Sequence, residues 1–224
     1  MGQGIDGIVI DPRDASSMEE CAESEFVRTL VAQAGLVIFG KKPAAVFGFT
    51  PRAWQSGDAR QKRTLSAQLF SAYARQTERY GVRLAWLAER RGGGEMLLAW
   101  RPSAVEELLS DADSREFLDQ ADLPSEDARG LMGELVCRLR AYYAGREDFP
   151  HELGLVLGYP VEDVRGFMSG GGRGAKTVGR WRCYGDVAAV AERRFQELSR
   201  EELRCKRLYS EGVPMRELLR MGAA

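Results

Sequence analysis

Two periods alternate along this chain, and most of its elements follow from them. Met18 to Ala34 carries Phe26, Leu30 and Val31 at helical spacing, with Glu19, Glu20 and Glu23 early, where the helix dipole favours carboxylates. Gly35 is expected to cap that helix. The apolar runs Leu36–Phe39 and Ala44–Phe49 flank Gly40-Lys41-Lys42-Pro43 and read as buried strands, or as a strand followed by a helical start. Pro51 to Lys62 is polar and reads as a loop. Thr64 to Tyr80 is helical, with Leu65, Leu69, Tyr73 and Thr77 on one face and Gly81 to end it. The period then drops to two. Val82, Leu84 and Trp86 alternate, as do Met96, Leu98 and Trp100, around Arg90-Arg91-Gly92-Gly93-Gly94. This predicts a β-hairpin whose glycines supply positive φ, with Trp86 and Trp100 on the same sheet face as Leu84 and Leu98.

Helical spacing returns after Pro102. Ser103-Ala104-Val105-Glu106 has the spacing of a capping box, which predicts a helix to about Ser110. Asp111 to Pro124 is acidic and helical in part, and Ser125 to Tyr143 is a helix with Leu131, Leu135 and Leu139 in one stripe. Pro150 and Pro160 each fix a helical φ and lack an N–H that a first turn does not use. They predict two short helices, 150–157 and 160–168, with Gly158 at positive φ in the turn and Leu153, Leu157, Val164 and Phe167 buried. Ala at Gly171, in the glycine-rich stretch that follows, is expected to be tolerated. Val178 to Tyr184 reads as a strand, Trp181 and Cys183 on one side and Arg180, Arg182 and Tyr184 on the other. Asp186 can cap a helix from Val187 to about Tyr209 with Val190, Phe195, Leu198 and Leu203 as its apolar set. Met215 to Met221 is a short terminal helix or tail, and Ile5–Ile10 a short strand or loose terminus.

These elements make an α+β fold: a small, mostly antiparallel sheet containing the 82–100 hairpin, Ala44–Phe49 and Val178–Tyr184, covered by several helices, with a helix-turn-helix-like pair at 150–168. A length of 224 residues suits one large domain over 18–211, with a loose segment at 1–17 and a short helix or tail at 212–224.

Composition narrows the function classes. A net charge of −1 gives no overall push toward nucleic acid or an anionic membrane. No apolar run approaches the ~20 residues of a membrane span, and the opening MGQGIDGIVIDP lacks a basic segment and an apolar core, so it is not read as a signal peptide. Four scattered cysteines, Cys21, Cys137, Cys183 and Cys205, form no CxxC pair, which suits a reducing cytoplasm.

The chemistry concentrates between Phe149 and Asp186. His151-Glu152 invites a zinc reading, but position 155 is Leu where a zinc-binding helix needs a second histidine, and His151 is the one histidine of the chain. The simpler reading puts the pair in the first turn of a helix started by Pro150, and no metal or cofactor is expected. Gly170 to Thr177 approaches a phosphate loop, yet Ala175 stands where glycine must precede the lysine, and the segment follows a helix instead of a strand. His151 to Met168 fits helix-turn-helix spacing, but its second helix presents Glu162 and Asp163, which a phosphate backbone repels, so duplex recognition is not expected there. The basic residues Arg173, Lys176, Arg180 and Arg182 leave nucleic-acid binding as a secondary alternative.

The block FPHELGLVLGYPVEDVRGF, then GRWRCYGD, resembles the bacterial family DUF3793, a family of unknown function. The resemblance rests on Phe149, Pro150, His151, Glu152, Gly154, Leu157, Gly158, Tyr159, Pro160, Glu162, Asp163, Val164, Trp181, Tyr184, Gly185 and Asp186, and upstream on Gly40-Lys41-Lys42-Pro43-Ala44. It extends from about Leu30 to Tyr209. Val178 stands where the family pattern has a cysteine, and Cys183 where it has valine. The resemblance implies no particular reaction. The reading that follows is a cytoplasmic binding or accessory module, with Tyr159, Trp181 and Tyr184 as candidate ligand contacts and a small molecule or a protein as partner. The alternative is a small-molecule enzyme in which His151, Glu152, Lys42 and Asp186 converge in a pocket. An apolar groove favours the first, and convergence of those four side chains the second.

Overall fold

The computed structural model describes residues 12–50, 59–90, 94–185 and 188–223. Helix α1 (Pro12–Ile38) starts six residues before Met18, runs through Gly35 and takes in most of the expected strand 36–39, with Phe39 in the turn that follows. Leu36, Val37, Ile38 and Phe39 are buried on every side, and an all-apolar run of this length has no periodicity to separate helix from strand. The helix stops instead at Gly40, whose φ of +64° suits the left-handed cap. The Gly40 N–H bonds to Val37 O and the Lys41 N–H to Leu36 O, the paired pattern of a Schellman end. Gly35 serves a different purpose: a Cβ there would sit 3.1 Å from the Cys205 sulfur, so the missing side chain lets a later helix approach α1.

Strand β1 (Ala44–Phe49) follows, then α2 (Ala59–Glu78), which begins inside the expected 51–62 loop. Its buried face includes Leu69, Tyr73 and Thr77, as its period predicted. Strands β2 (Arg83–Glu89) and β3 (Glu95–Trp100) form the hairpin, and the sheet order is β1-β3-β2, antiparallel throughout. The register corrects one expectation. Leu84 lies opposite Ala99 and Trp86 opposite Leu97, whereas Leu98 faces Ala85 and Trp100 faces Arg83. Trp86 and Leu84 therefore share a face with Leu97 and Ala99, and Trp100 and Leu98 lie on the other. A register irregularity between Trp86 and Ala88 brings Leu87 into the core on the Leu98 side.

Both sheet faces are covered. On the first, Phe47, Phe49, Leu97 and Ala99 pack against α1, α2, α8 (Ala188–Ser210) and α9 (Met215–Ala223). On the second, Ala44, Leu87 and Leu98 pack against α3 (Pro102–Leu109), α4 (Ala112–Gln120), α5 (Ala128–Tyr143), α6 (Leu153–Val156) and α7 (Val161–Gly170). This double burial explains the nearly unbroken apolar β3 sequence EMLLAW.

Several end signals differ from expectation. Pro102 sits in the first turn of α3, after Arg101, and no side chain caps that helix. Glu106 instead accepts the backbone N–H of Ala128, across to the start of α5, which Asp127 caps. The Val178–Tyr184 strand resolves into β4 (Thr177–Val178) and β5 (Arg182–Cys183), a two-stranded sheet separate from the main one. On α8 the buried stripe passes through Leu198 and Cys205, while Val190 and Leu203 are exposed. The Ile5–Ile10 strand and the Asp186 cap fall outside the described residues.

One buried cation ties the first layer together. Arg101 is 4% exposed. It donates to Val37 O and Ile38 O, each at 2.6 Å, to Tyr80 O at 3.0 Å and to Leu219 O at 3.4 Å. The ends of α1 and α9 and the turn after α2 thus converge on one guanidinium. Helix C-termini carry partial negative charge, so backbone carbonyls stand in for a carboxylate here. Burial lowers the Arg101 pKa without discharging it.

Candidate functional site

The site is built where three separate stretches of chain meet. The first is the turn between α6 and α7. Gly158 has φ +82°, and a Cβ on it would come 3.2 Å from Pro43 Cδ, so the turn lies directly on the 40–44 segment. Tyr159 N–H bonds back to Gly154 O, and Pro160 opens α7. A Cβ at Gly154 would press Val164 at 3.0 Å and Tyr159 at 3.3 Å, so the two helices cross closely because position 154 is bare.

The second junction is made by Asp163, which is 5% exposed rather than presented to solvent as the sequence reading had it. Its carboxylate accepts the indole N–H of Trp181 at 2.8 Å and the backbone N–H groups of Tyr184 and Gly185 at 2.6 and 3.3 Å. The Cys183 thiol lies within reach of its charge. Burial first, and the Asp163 charge second, push that thiol up to about 11. One carboxylate on α7 therefore fixes the 181–185 loop. Glu162, its neighbour, is exposed as expected.

A cleft of about 440 Å³ opens between these junctions. Phe149, Leu157, Tyr159, Phe167 and Trp181 give it apolar and aromatic walls, with His151 and Arg182 as its solvent-exposed polar members. Leu157 and Phe167 are half-buried because they line this opening, not the core where the sequence reading put them; Leu153 and Val164 are buried as expected. The His151 ring packs 5.4 Å from Phe149 and 5.2 Å from Phe167. Tyr159 stacks on Trp181 at 5.0 Å with an interplanar angle of 25°, and Phe195 of α8 meets Trp181 edge-on at 4.5 Å.

Lys42 lies beside the cleft and not among its lining residues. Its Nζ stands 5.5 Å from the Tyr159 ring centroid. Around it are Arg180, which pairs with Glu202, and Arg194, which donates to Lys41 O at 3.2 Å. Burial, then the Arg180 charge, lower the Lys42 pKa to about 8. Burial raises the Glu202 carboxyl, but hydrogen bonds from Lys206 and Arg180 outweigh that and leave it below its ordinary value.

The structure thus brings His151, Tyr159 and Trp181 to one cleft and sets Lys42 over the Tyr159 ring, while Lys42, Glu152 and Tyr184 are not among the residues that line it. Glu152 is half-buried and does not line the cleft. The Tyr184 ring instead packs on α7 at Gly166, where any side chain would overlap it, and its hydroxyl is buried with no partner among the described residues. Asp186 is outside the described residues. Sequence reasoning missed Asp163, Phe149 and Phe167 as site residues, and named Arg182 only for the nucleic-acid alternative. For Asp163 a signal existed: it lies four residues before Phe167 and beside Val164, on the inward stripe of α7.

The segments that meet here are those whose sequence carries a family signature. The chain matches, over residues 30–219, the family described as a protein of unknown function, DUF3793. The chain belongs to the DUF3793 family. In DUF3793 terms, the Gly-Lys-Lys-Pro segment abuts the Leu-Gly-Tyr-Pro turn, and the Trp–Tyr-Gly block hangs from the Glu-Asp-Val helix. No curated protein and no solved structure matches the chain. Among the described residues no helix is long and apolar enough to cross a membrane.

Proposed function

We propose that this DUF3793 protein is a cytoplasmic binding module whose cleft takes a flat, largely apolar ligand. The observation that supports the reading is the lining. Five of its side chains, Phe149, Leu157, Tyr159, Phe167 and Trp181, are apolar or aromatic, while the one buried carboxylate, Asp163, is already occupied by Trp181, Tyr184 and Gly185. Preformed apolar walls with a few polar groups at the edge are what small-ligand sites use, and about 440 Å³ accommodates a two-ring molecule. Rings would pack against the apolar walls of the opening, and His151 and Arg182 would orient a polar substituent at the rim.

The enzyme alternative draws less support from the geometry. General acid–base work needs convergent titratable groups, and of His151, Glu152 and Lys42 only His151 faces the cleft. Nucleic-acid binding draws less still, because Arg180 is engaged with Glu202 and Ser199, and Arg182 with Gly172 O.

The test is titration with 1-anilinonaphthalene-8-sulfonate. The folded protein should show one saturable site, and Leu157→Trp, which narrows the cleft, should weaken it at least about tenfold while the thermal melt stays cooperative. Unchanged binding in a cooperatively melting Leu157→Trp protein would overturn the reading.

A further inference from the structure

The two solvent-exposed polar members of the cleft, His151 and Arg182, gather at one end of it, around Phe167. The His151 ring lies 5.2 Å from the Phe167 ring. Gly172, at φ +81°, folds back onto the same ring: its N–H bonds to Phe167 O at 3.2 Å, and a Cβ on it would come 3.3 Å from the ring edge. Arg182 donates from Nη1 to Gly172 O at 3.1 Å, which holds the guanidinium beside that end of the cleft. Its partner is a neutral carbonyl, so the charge is left unbalanced. Arg180 and Arg194, by contrast, each pair with a carboxylate, Glu202 and Glu197. Among the described residues no carboxylate pairs with Arg182, and the His151 ring has aromatic neighbours but no hydrogen-bond partner. The carboxylates of α7 are committed elsewhere. Asp163 holds Trp181, Tyr184 and Gly185, and Glu162 lines a separate hollow with Asp111 and Asp113.

From this juxtaposition we propose that the ligand of the cleft is a small aromatic carboxylate, with its rings against the apolar walls and its carboxylate at Arg182 and His151. The inference rests on the binding-cleft reading and adds to it the charge of the ligand and the residue that selects for that charge. A guanidinium presents a planar fork of donors that matches a carboxylate, and one N–H of this fork is committed to Gly172 O. His151 offers a further N–H whichever ring nitrogen carries the proton. The apolar walls strengthen the pairing, because a charge pair at the mouth of a low-dielectric cleft is screened less than one on an open surface. The count of charges favours a carboxylate over a phosphate. One guanidinium balances one negative charge, whereas a phosphate monoester carries about 1.5 to 2 at neutral pH.

The experiment titrates the intact protein at neutral pH, by calorimetry, with 2-naphthoate and 2-naphthamide, which match in size and differ in charge. In the wild-type protein 2-naphthoate should bind at least about tenfold tighter, the gain expected of a hydrogen bond to a charged group. A third probe, 2-naphthyl phosphate, should bind no tighter than 2-naphthoate. Arg182 is exposed, so Arg182→Gln leaves the core untouched. In that variant the affinity for 2-naphthoate should fall to within about twofold of that for 2-naphthamide, which keeps its wild-type value. Equal affinities for 2-naphthoate and 2-naphthamide in the wild-type protein would overturn the charge assignment and leave the cleft reading in place; this comparison needs no variant. A preference for 2-naphthoate that survives Arg182→Gln would overturn the role of Arg182. Tighter binding of 2-naphthyl phosphate would overturn the carboxylate. Binding of neither 2-naphthoate nor 2-naphthamide would overturn the cleft reading and this inference with it.

Discussion

Asp163 and Trp181 lie 18 positions apart, and the Asp163 carboxylate accepts the Trp181 indole N–H at 2.8 Å in a fully buried contact. The same carboxylate holds two backbone N–H groups of the loop. Removing it strands three donors at once, and an unsatisfied buried donor costs roughly 1–3 kcal/mol. Asp163→Leu should therefore lose about 3 kcal/mol or more in urea unfolding, with Trp181 emission shifted to the red as the loop detaches. A variant within about 1 kcal/mol of wild type would show that the carboxylate is not what holds the loop.

The glycines of the central stretch should separate into three behaviours. Gly158 has positive φ and lies against Pro43, so Gly158→Val should cost about 2 kcal/mol. Gly171 was expected from sequence to accept alanine freely. It is the left-handed cap of α7, at φ 56°, so Gly171→Ala should cost about 1 kcal/mol although nothing surrounds it. Gly170, one residue earlier, is helical with open space around it, and Gly170→Ala should be neutral or stabilising by up to about 1 kcal/mol. Thermal melts of the three rank them; a Gly158→Val melt at the wild-type temperature would refute the tight turn.

How much of this was legible follows from which signals are local. The 82–100 hairpin, the α5 stripe and the Gly158 turn were readable because alternation, a leucine repeat and two prolines sit within a few residues of each other. The end of α1 was not, since Leu36 to Phe39 are buried all round and only tertiary contacts choose helix over strand. The face of Trp86 was set by hairpin register, which depends on the intervening loop and on the irregularity at Leu87, not on alternation within either strand. At the site, Tyr159 and Trp181 stood out as candidate aromatics, but nothing local in the sequence said that the two rings stack on each other. Asp163 was misread because a carboxylate beside Glu162 looks like surface until its three donors, 18 and more residues away, are in view.

Arg101 should resist conservative replacement. Its fork reaches carbonyls of four residues, and a lysine ammonium cannot span the same set. Arg101→Lys and Arg101→Met should each lower stability by about 3 kcal/mol or more, because several buried carbonyls lose the guanidinium that donates to them. Denaturant midpoints with unchanged slopes would measure this, and an Arg101→Lys protein as stable as wild type would refute it.

The cysteines should divide in two. Cys21 and Cys137 are exposed, whereas Cys183 and Cys205 are buried, and burial raises the latter pair to about 11 and about 12. At pH 8 a disulfide reagent should modify the exposed pair promptly and the buried pair only on unfolding. The sign for stability follows. Both folded values exceed the ordinary 9.0, so this contribution is complete below pH 9 and is lost as pH rises through about 11 and about 12. Substituting Cys183 and Cys205 by alanine should flatten the alkaline decline, and an unaltered decline would assign it elsewhere.

The Arg101 socket also sets an order of assembly. Its partners in α1 are 63 and 64 positions away and Tyr80 is 21 away, but Leu219 is 118 residues further along the chain. The layer on the Leu98 face of the sheet draws on residues 44 to 164 alone, while the layer on the Leu97 face needs Cys205, Met215, Leu218 and Leu219 as well. During synthesis, then, the Leu98 side can close while the last quarter or so of the chain is still being made. The guanidinium stays open on one flank until α9 arrives, and that contact closes the longest stretch of chain of the four.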